Sequence, residues 1–383
     1  MESFRPRYTQ NRVSANTTTA QNFGQNTSTV FSISPGYYAI LNECRIVIQF
    51  KCTGTTKIPI FIRPPITWIN NVQCKITYDL SGQDHVEQYT SQSFRGDVGY
   101  MMELLDLSFS AWTDADRLEY LTTPSTIAQA GETFEVAIPL RYLVDPCVTQ
   151  KFLPVKYFEF QPSWRAQNEC VLPATASTTD FVVTMSNMYF CYPTVQVPPR
   201  SIPAGLELPD VRSVYVQALF VGAGQTQTNA TLVFAGKPNK IFHYFLATGA
   251  TSAALSTYSL SVNTTSIGAT EVPNCITYQQ ITAGGKGFPI SPQYQLTANE
   301  KGVGSAALYH ELQYISQNFQ PQKNTQVTYE NFINKYKIYA LDLSDCDVMG
   351  GGLPFTVQYP PLVLPTNATS MYHIIAVLYE PTA

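Results

Sequence analysis

The chain has 383 residues, of which 44% are hydrophobic and only 13% charged, and its formal net charge is -4. That length suits two domains of ordinary size, and the slightly acidic balance excludes a protein that clamps DNA or RNA over its whole surface. Tyr and Phe together number 45, Pro adds 26, and Thr, Ser, Asn and Gln are abundant, the profile of an all-β protein with many turns and a weakly charged surface.

Residues 1–27 are polar and read as an N-terminal arm. Arg5, Arg7 and Arg12 face only Glu2 there, so the arm is a candidate inner-surface basic segment for nucleic acid, anionic lipid or a neighbouring subunit; a disordered terminus is the plain alternative. The start, MESFRPRYTQ, lacks the apolar stretch of a signal peptide, and no run of about eighteen apolar residues predicts a transmembrane helix. A first β-rich region is expected over 28–192. In CRIVIQF, Cys44, Ile46, Ile48 and Phe50 point one way and Arg45, Val47 and Gln49 the other. LDLSFSAW repeats the alternation with Leu105, Leu107, Phe109 and Ala111, and FEVAIPL does so with Phe134, Val136, Ile138 and Leu140. KYFEFQPSW and DFVVTMSNMYF follow as strands, with long connections at 80–100, 113–130 and 165–179.

The stretch 193–210 is proline-rich and reads as a linker, because proline withholds ladder hydrogen bonds and favours extended backbone. A second β series is expected over 211–383, beginning with VRSVYVQALFVG, ATLVFAG and KIFHYFLATG, with a long Thr- and Ser-rich loop at 249–271. One clear helix interrupts it, because Leu308, Leu312, Ile315 and Phe319 recur at helical spacing. A shorter helix over TYENFINKY is a further candidate. KIYALDLS, LPFTVQYP and MYHIIAVLYE return to strand. The last is apolar on both faces and should lie inside a sheet. Each half offers roughly eight strand-like segments, enough for a jelly roll, although the pattern leaves other two-sandwich arrangements open.

Eight cysteines at 44, 52, 74, 147, 170, 191, 275 and 346 show no CxxC and no regular framework, so free, mostly buried thiols are expected. Five sequons begin at Asn16, Asn26, Asn229, Asn263 and Asn367 and read as Asn- and Thr-rich loops. The four histidines, His85, His243, His310 and His373, fit neither HExxH nor zinc-finger spacing. There is no G-x-S-x-G elbow and no Walker A sequence. GGKG at 284–287 reads as a bare glycine turn, and GGG at 350–352 as a flexible joint between strands. No catalytic residue, cofactor or metal is expected. Trp68, Trp112 and Trp164 would be the stacking platforms of a carbohydrate-binding module, against the commoner role of core or interface residues.

Several segments resemble those of double jelly-roll major capsid proteins, the lineage of adenovirus hexons, tectivirus capsid proteins and the capsid proteins of polinton-like elements and virophages. FEVAIPL with KFLPVKYFEF is similar to the end of that family's first jelly roll, on Phe134, Ile138, Pro139, Leu140, Leu153, Pro154, Phe158 and Phe160. FIRPPITWINNVQCKITYDLSG resembles the passage from the early strands into a glycine turn. GKGFPI, with Pro289, and YENFINKYKIYALDLS, with Phe332, Tyr336, Tyr339, Asp342 and Leu343, are similar to elements of the second jelly roll. The resemblance implies two tandem eight-stranded jelly rolls with short helices. It implies a pseudo-hexameric homotrimer tiling an icosahedral virion shell around a DNA genome, as a structural protein and not an enzyme. The implied partners are the chain itself, neighbouring capsomers, minor capsid, cement and penton proteins and, as a candidate, an internal membrane, without sequence-specific nucleic-acid binding. Synthesis in a host cell without secretion is the corresponding expectation. A jelly-roll carbohydrate- or receptor-binding module, as in a spike or minor capsid protein, is the alternative.

Overall fold

The computed structural model describes residues 8–15, 21–26, 28–33, 38–53, 59–61, 63–80, 82–105, 133–147, 152–173, 182–195, 213–248, 276–290, 292–294, 305–317, 327–329, 332, 337–361 and 370–380. The chain divides into two compact units, Met1–Tyr100 with Thr122–Val211, and Met101–Leu121 with Arg212–Ala383. In chain order the first carries β1 (Tyr8–Ser14), β2 (Gln21–Asn22), β3 (Thr29–Ser32), β4 (Tyr38–Ile40), β5 (Arg45–Thr53), β6 (Pro59–Phe61), β7 (Ile69–Leu80) and β8 (Gln83–Thr90). Helix α1 (Arg95–Leu105) starts in it, and β9 (Thr133–Pro139), β10 (Phe152–Leu153), β11 (Val155–Trp164), α2 (Gln167–Cys170), β12 (Val171–Pro173) and β13 (Val182–Val195) complete it. The second unit holds β14 (Ser213–Phe220), β15 (Gln227–Phe234), β16 (Lys237–Thr248), β17 (Tyr278–Ala283), β18 (Lys286–Phe288), α3 (Ser305–Gln317), β19 (Tyr339–Asp342), β20 (Gly351–Gln358) and β21 (Ser370–Glu380).

The second unit is an eight-stranded jelly roll. One sheet runs β14-β21-β16-β19 and the other β15-β20-β17-β18, all neighbours antiparallel. The two sheets thus take alternate strands of the chain over most of its length, as Greek-key winding requires. The first unit repeats this pairing. β1 lies on β13, β13 on β5 and β5 on β9, while β3-β11-β7-β8 form the facing sheet. β2, β4 and β10 extend the first of these sheets, and β6 with β12 makes a separate ribbon. In both units a helix follows the fifth of the eight sandwich strands: α1 stands between β8 and β9, and α3 between β18 and β19.

Alternation explains most of these strands. Phe158, Phe160 and Trp164 of β11 point inward, and so do Thr228, Ala230, Leu232 and Phe234 of β15. Phe158 stacks on Phe190 with centroids 4.5 Å apart, and Phe50 meets Trp68 edge-on at 5.3 Å. Each such ring contributes roughly 1.5–3 kcal/mol when removed from water. β21 is buried on both faces from His373 to Leu378 because it lies between β14 and β16. Leu308, Leu312 and Ile315 form the buried stripe of α3. The two glycines Gly284 and Gly285, at φ +57° and +77°, make the two-residue turn between β17 and β18, the conformation a tight hairpin demands.

The structure differs from the sequence-based expectation in several places, among them the expected connection at 165–179, which contains α2 and β12. Residues 8–14, expected in a tether, pair with β13 over their whole length as the edge strand of the first jelly roll. The expected connection at 80–100 contains β8 and the start of α1; β8 is polar and mostly exposed on both faces, so it carries no alternation to read. Leu105, read as the beginning of a strand, ends α1. Gly351 and Gly352, read as a flexible joint, open β20, while the Gly350 N–H donates to the Gly236 carbonyl. Leu107, Phe109, Ala111, Trp112, Phe319, Tyr336 and most of 193–210 lie outside the described residues, whereas 193–195 end β13. Tyr329 and Phe332 are helical, and the Phe332 N–H donates to the Thr328 carbonyl at 2.7 Å.

One close approach sets a test. A Cβ on Gly96 of α1 would sit 2.1 Å from the Ile69 carbonyl oxygen and 2.5 Å from that of Ile66. Neither oxygen is the end of a flexible side chain, so the helix must move. Gly96→Ala is expected to cost about 1–3 kcal/mol, read as a lowered midpoint in urea with an unchanged slope.

Candidate functional site

The sequence-selected positions sit mainly in the two cores. Ile138 and Leu140 are fully buried; Pro139 ends β9, and the Leu140 N–H donates to the Cys44 carbonyl at 3.0 Å. Phe134 pairs with Phe50 through the β9–β5 register. Pro154 accepts from the Asp79 N–H at 3.1 Å, beside the buried Phe158 and Phe160. Pro289 follows a cis peptide and accepts from Gln280 Nε2 at 3.2 Å. Phe332 and Tyr339 pack edge-on at 6.3 Å, Leu343 is buried, and Asp342 caps the turn after β19 by accepting from the Ser344 backbone N–H at 2.9 Å and from its hydroxyl. Arg5 and Arg7 lie outside the described residues. Arg12 pairs with Glu135 at 2.9 Å, and its guanidinium lies 3.6 Å over the Tyr189 ring. Trp68 and Trp164 are buried, so neither offers a stacking face.

A buried charged cluster anchors the first turn of α1. Asp97, without exposure, receives Arg165 at 2.5 Å and Arg63 at 3.4 Å. Arg95, equally buried, reaches Asp145 at 3.1 Å through Nη2 and donates from Nε to the Tyr89 hydroxyl at 3.1 Å. That hydroxyl donates to Asp145 at 3.2 Å. Arg165 Nε also donates to the Thr67 carbonyl, and Trp68 Nε1 to that of Arg63. Burial pushes the Tyr89 phenol far up, aided by the Asp145 charge. For Arg95, burial works against the charge, but Tyr89 and Asp145 outweigh it and raise its pKa. These charges are satisfied from several sides, the condition under which a buried ion pair persists.

The second unit holds a different network, a path of hydrogen bonds that ends at one carboxylate. His243 on β16 and His373 on β21 are both fully buried, with His373 Nε2 3.0 Å from His243 Nδ1. The Thr228 hydroxyl of β15 lies 2.8 Å from His373 Nδ1, and the Gln279 side-chain Oε1 of β17 lies 2.8 Å from His243 Nε2. Gln279 Nε2 donates to the Tyr294 hydroxyl at 2.7 Å, and that hydroxyl to Glu311 of α3 at 2.9 Å. Burial lowers the His243 pKa to about 4 and raises that of Glu311. His373 is held well below its usual value by burial and then by the neighbouring His243. Sequence spacing had shown no two histidines close together; 130 residues separate this pair, and only the strand register joins them.

The outward side chains of β15, Gln227, Asn229, Thr231 and Val233, are exposed and uncharged. Asn229 Oδ1 accepts from Gln227 at 2.9 Å and from Thr356 of β20 at 3.0 Å, so this sequon asparagine stands on a strand. Phe220, Ile290 and Tyr314 are large apolar side chains more than half exposed. Among the described residues, no three His, Cys, Asp or Glu side chains cluster as metal ligands, and no helix is long and apolar enough to cross a membrane. The described cysteines Cys44, Cys74, Cys147, Cys170 and Cys346 are buried and in no disulfide, and Cys191 is half-buried and likewise in none. Burial raises the Cys44, Cys74 and Cys170 pKa values, which keeps those thiols protonated and unreactive.

The sequence matches no family profile and no curated protein. The fold does match solved structures. The Faustovirus major capsid protein superposes with a TM-score of 0.52 at 9% identity over 99% of this chain and 90% of its own. The PBCV-1 virus capsid gives 0.52 at 10% identity over 99% and 95%, and the mavirus major capsid protein 0.51 at 10% over 97% and 87%. The double jelly roll is therefore the fold of the whole chain.

The charged cluster makes a quantitative contrast with the exposed pair. Asp97→Asn leaves Arg63 and Arg165 buried without their shared carboxylate and is expected to cost about 3–5 kcal/mol. Glu135→Gln breaks the Arg12 pair, whose side chains are 44% exposed on each side, and should cost about 0–1 kcal/mol. Urea denaturation of both variants against the parent measures the difference.

Proposed function

We propose that this chain is a major capsid protein that assembles as homotrimers, six jelly rolls to a capsomer, and that these capsomers tile an icosahedral shell around a DNA genome. The observation that carries the reading is the duplicated eight-stranded jelly roll, with a helix inserted at the same point of each unit, spanning the chain end to end. One jelly roll serves many binding proteins; two in tandem over a full chain, shared with capsid proteins of three viruses, favour a shell subunit.

The chemistry of the chain agrees with a protein that acts by association. Charged residues make up only 13%, and the outward face of β15 is uncharged, which lowers the desolvation cost of covering it. Obligate interfaces bury on the order of 2,000–5,000 Å², and exposed side chains such as Phe220 and Ile290 are suited to that burial. The reading assigns no reaction, cofactor or metal to the chain. It places the protein in the virion, with neighbouring capsomers and minor, cement and penton proteins as its partners. Arg5 and Arg7 are the proposed inner-surface contacts to nucleic acid, lipid or a neighbouring chain. Arg12 is less suited, being engaged by Glu135. The family-like core positions, from Ile138 to Leu343, serve this function by holding the strands and not by meeting a partner. Burial of Trp68 and Trp164 weakens the carbohydrate-binding alternative.

Native mass spectrometry near neutral pH tests the reading. Three chains of 42.6 kDa predict a species of about 128 kDa, and electron microscopy of it should show six-fold-looking particles. A stable 42.6-kDa monomer at micromolar concentration would overturn the trimer and return the chain to the single-molecule binding proteins.

A further inference from the structure

The directions of the hydrogen bonds around His243 and His373 are fixed by their neighbours. Gln279 Nε2 faces three acceptors, the Tyr294 hydroxyl at 2.7 Å, Glu311 at 3.4 Å and the Ala340 carbonyl at 3.4 Å, so its Oε1 is the atom turned toward His243. An amide oxygen only accepts. His243 therefore carries its proton on Nε2 and accepts on Nδ1 when neutral. His373 must then donate from Nε2 and accept on Nδ1, where the Thr228 hydroxyl is the donor. Every bond from Thr228 to Glu311 runs the same way, through two neutral rings. The path starts on β15, crosses to β21 and β16 of the facing sheet, and returns to β17. It is a polar tie across the apolar interior of the second jelly roll.

We propose that this pair is an acid-operated latch, which ties the two sheets of the second unit while both rings are neutral and opens the unit when both are protonated, by forcing β16 from β21 within their shared sheet. A single added proton fits, because His373 can take it on Nδ1 if the Thr228 hydroxyl turns from donor to acceptor. A second does not fit. Two imidazolium rings would oppose N–H to N–H across 3.0 Å, with like charges in a site without exposure.

Among the described residues, nothing on the surrounding elements neutralises them. His373 stacks on Phe245 at 4.6 Å, and His243 meets Phe355 and Tyr339, each at 5.2 Å. β14, β15, β17 and β20 carry no charged residue. On β16 the Lys240 ammonium donates to the Ile315 carbonyl of α3, at 2.9 Å. Lys337 is buried just before β19, and Asp342 at the end of β19 is engaged with Ser344. Lys237 and Glu380 are register partners at the far ends of β16 and β21. The phenols are those of Tyr339, Tyr294 and Tyr359, the last beside Thr228. Glu311 is the one carboxylate on the path, and Gln279 and Tyr294 stand between it and the rings.

The pH window follows from the lowered histidine pKa values. Below the usual value of 6.5 the unfolded chain takes up protons that the folded unit refuses, so stability is lost as pH falls. The loss from His243 runs from 6.5 down to about 4, where the folded ring also protonates. The latch concerns the closure of the unit itself and holds whether or not the chain builds a shell.

The experiment is hydrogen exchange with peptide mass spectrometry on the full chain, from neutral pH to about 4, with rates corrected for the intrinsic pH dependence. Peptides from β15, β16, β17 and β21 are expected to lose protection together as pH falls. The double variant His243→Gln with His373→Gln, which keeps donors and acceptors but cannot take up a proton, should shift that midpoint down by about one pH unit or more. A midpoint unmoved in a folded variant, or protection retained in the parent at pH about 4, would overturn the latch. The unmodified protein gives an independent reading if the variant does not fold. Selective ¹⁵N-histidine spectra at neutral pH should show both buried rings neutral and protonated on Nε2; a cationic ring, or the opposite tautomer, in the folded protein would also sink it.

Discussion

Each jelly roll is closed by its last strand. β13 slots between β1 and β5, and β21 between β14 and β16. Neither unit can complete its first sheet until its final segment has arrived, so the closing contacts join residues far apart in the chain, such as Asn11 with Thr194 and Thr228 with His373 at separations of 183 and 145. Loop closure on that scale costs entropy before any contact repays it. The compensation lies in what the last strand buries. β21 brings an unbroken apolar run from Ile374 to Leu378 into the middle of its sheet, and β13 brings Phe190 onto Phe158 and Phe31.

The two units repeat one topology but stiffen it by opposite chemistry. In the first, full charges gather at the start of α1, where Asp97 serves two arginines and Arg95 serves Asp145 and Tyr89. In the second, the corresponding polar investment is a chain of neutral groups running through the space between the sheets. A buried ion cluster resists pH change as long as its carboxylates stay ionised, whereas neutral imidazoles tolerate alkali and suffer in acid. The duplicated fold thus contains halves with different sensitivities to the same solvent.

The strands that bury one face or both were legible in sequence. CRIVIQF, KYFEFQPSW and MYHIIAVLYE announce β5, β11 and β21 through apolar alternation or apolar runs, and the spacing of Leu308, Leu312 and Ile315 announces α3. What failed to show were elements held by something other than apolar burial. β8 is mostly polar because it is an exposed edge strand of its sheet. α1 contains two glycines demanded by the close approach of Ile66, Ile69 and Tyr142, and glycine argues against a helix when only the sequence is in view. The histidine pair was invisible for a simpler reason: its members come from different strands, and no local motif encodes their meeting.

The N-terminal strand has a consequence in time. β1 leaves the ribosome before its partner β13, which follows some 183 residues later by the Asn11–Thr194 contact, a delay on the order of 10–40 s at ~5–20 residues per second. An apolar strand waiting that long would seek other company. YTQNRVS is instead rich in hydroxyl, amide and guanidinium groups that water solvates well, so it can remain in solution until β13 is synthesised. The same polarity that gives it the look of a loose tail lets it serve as a strand.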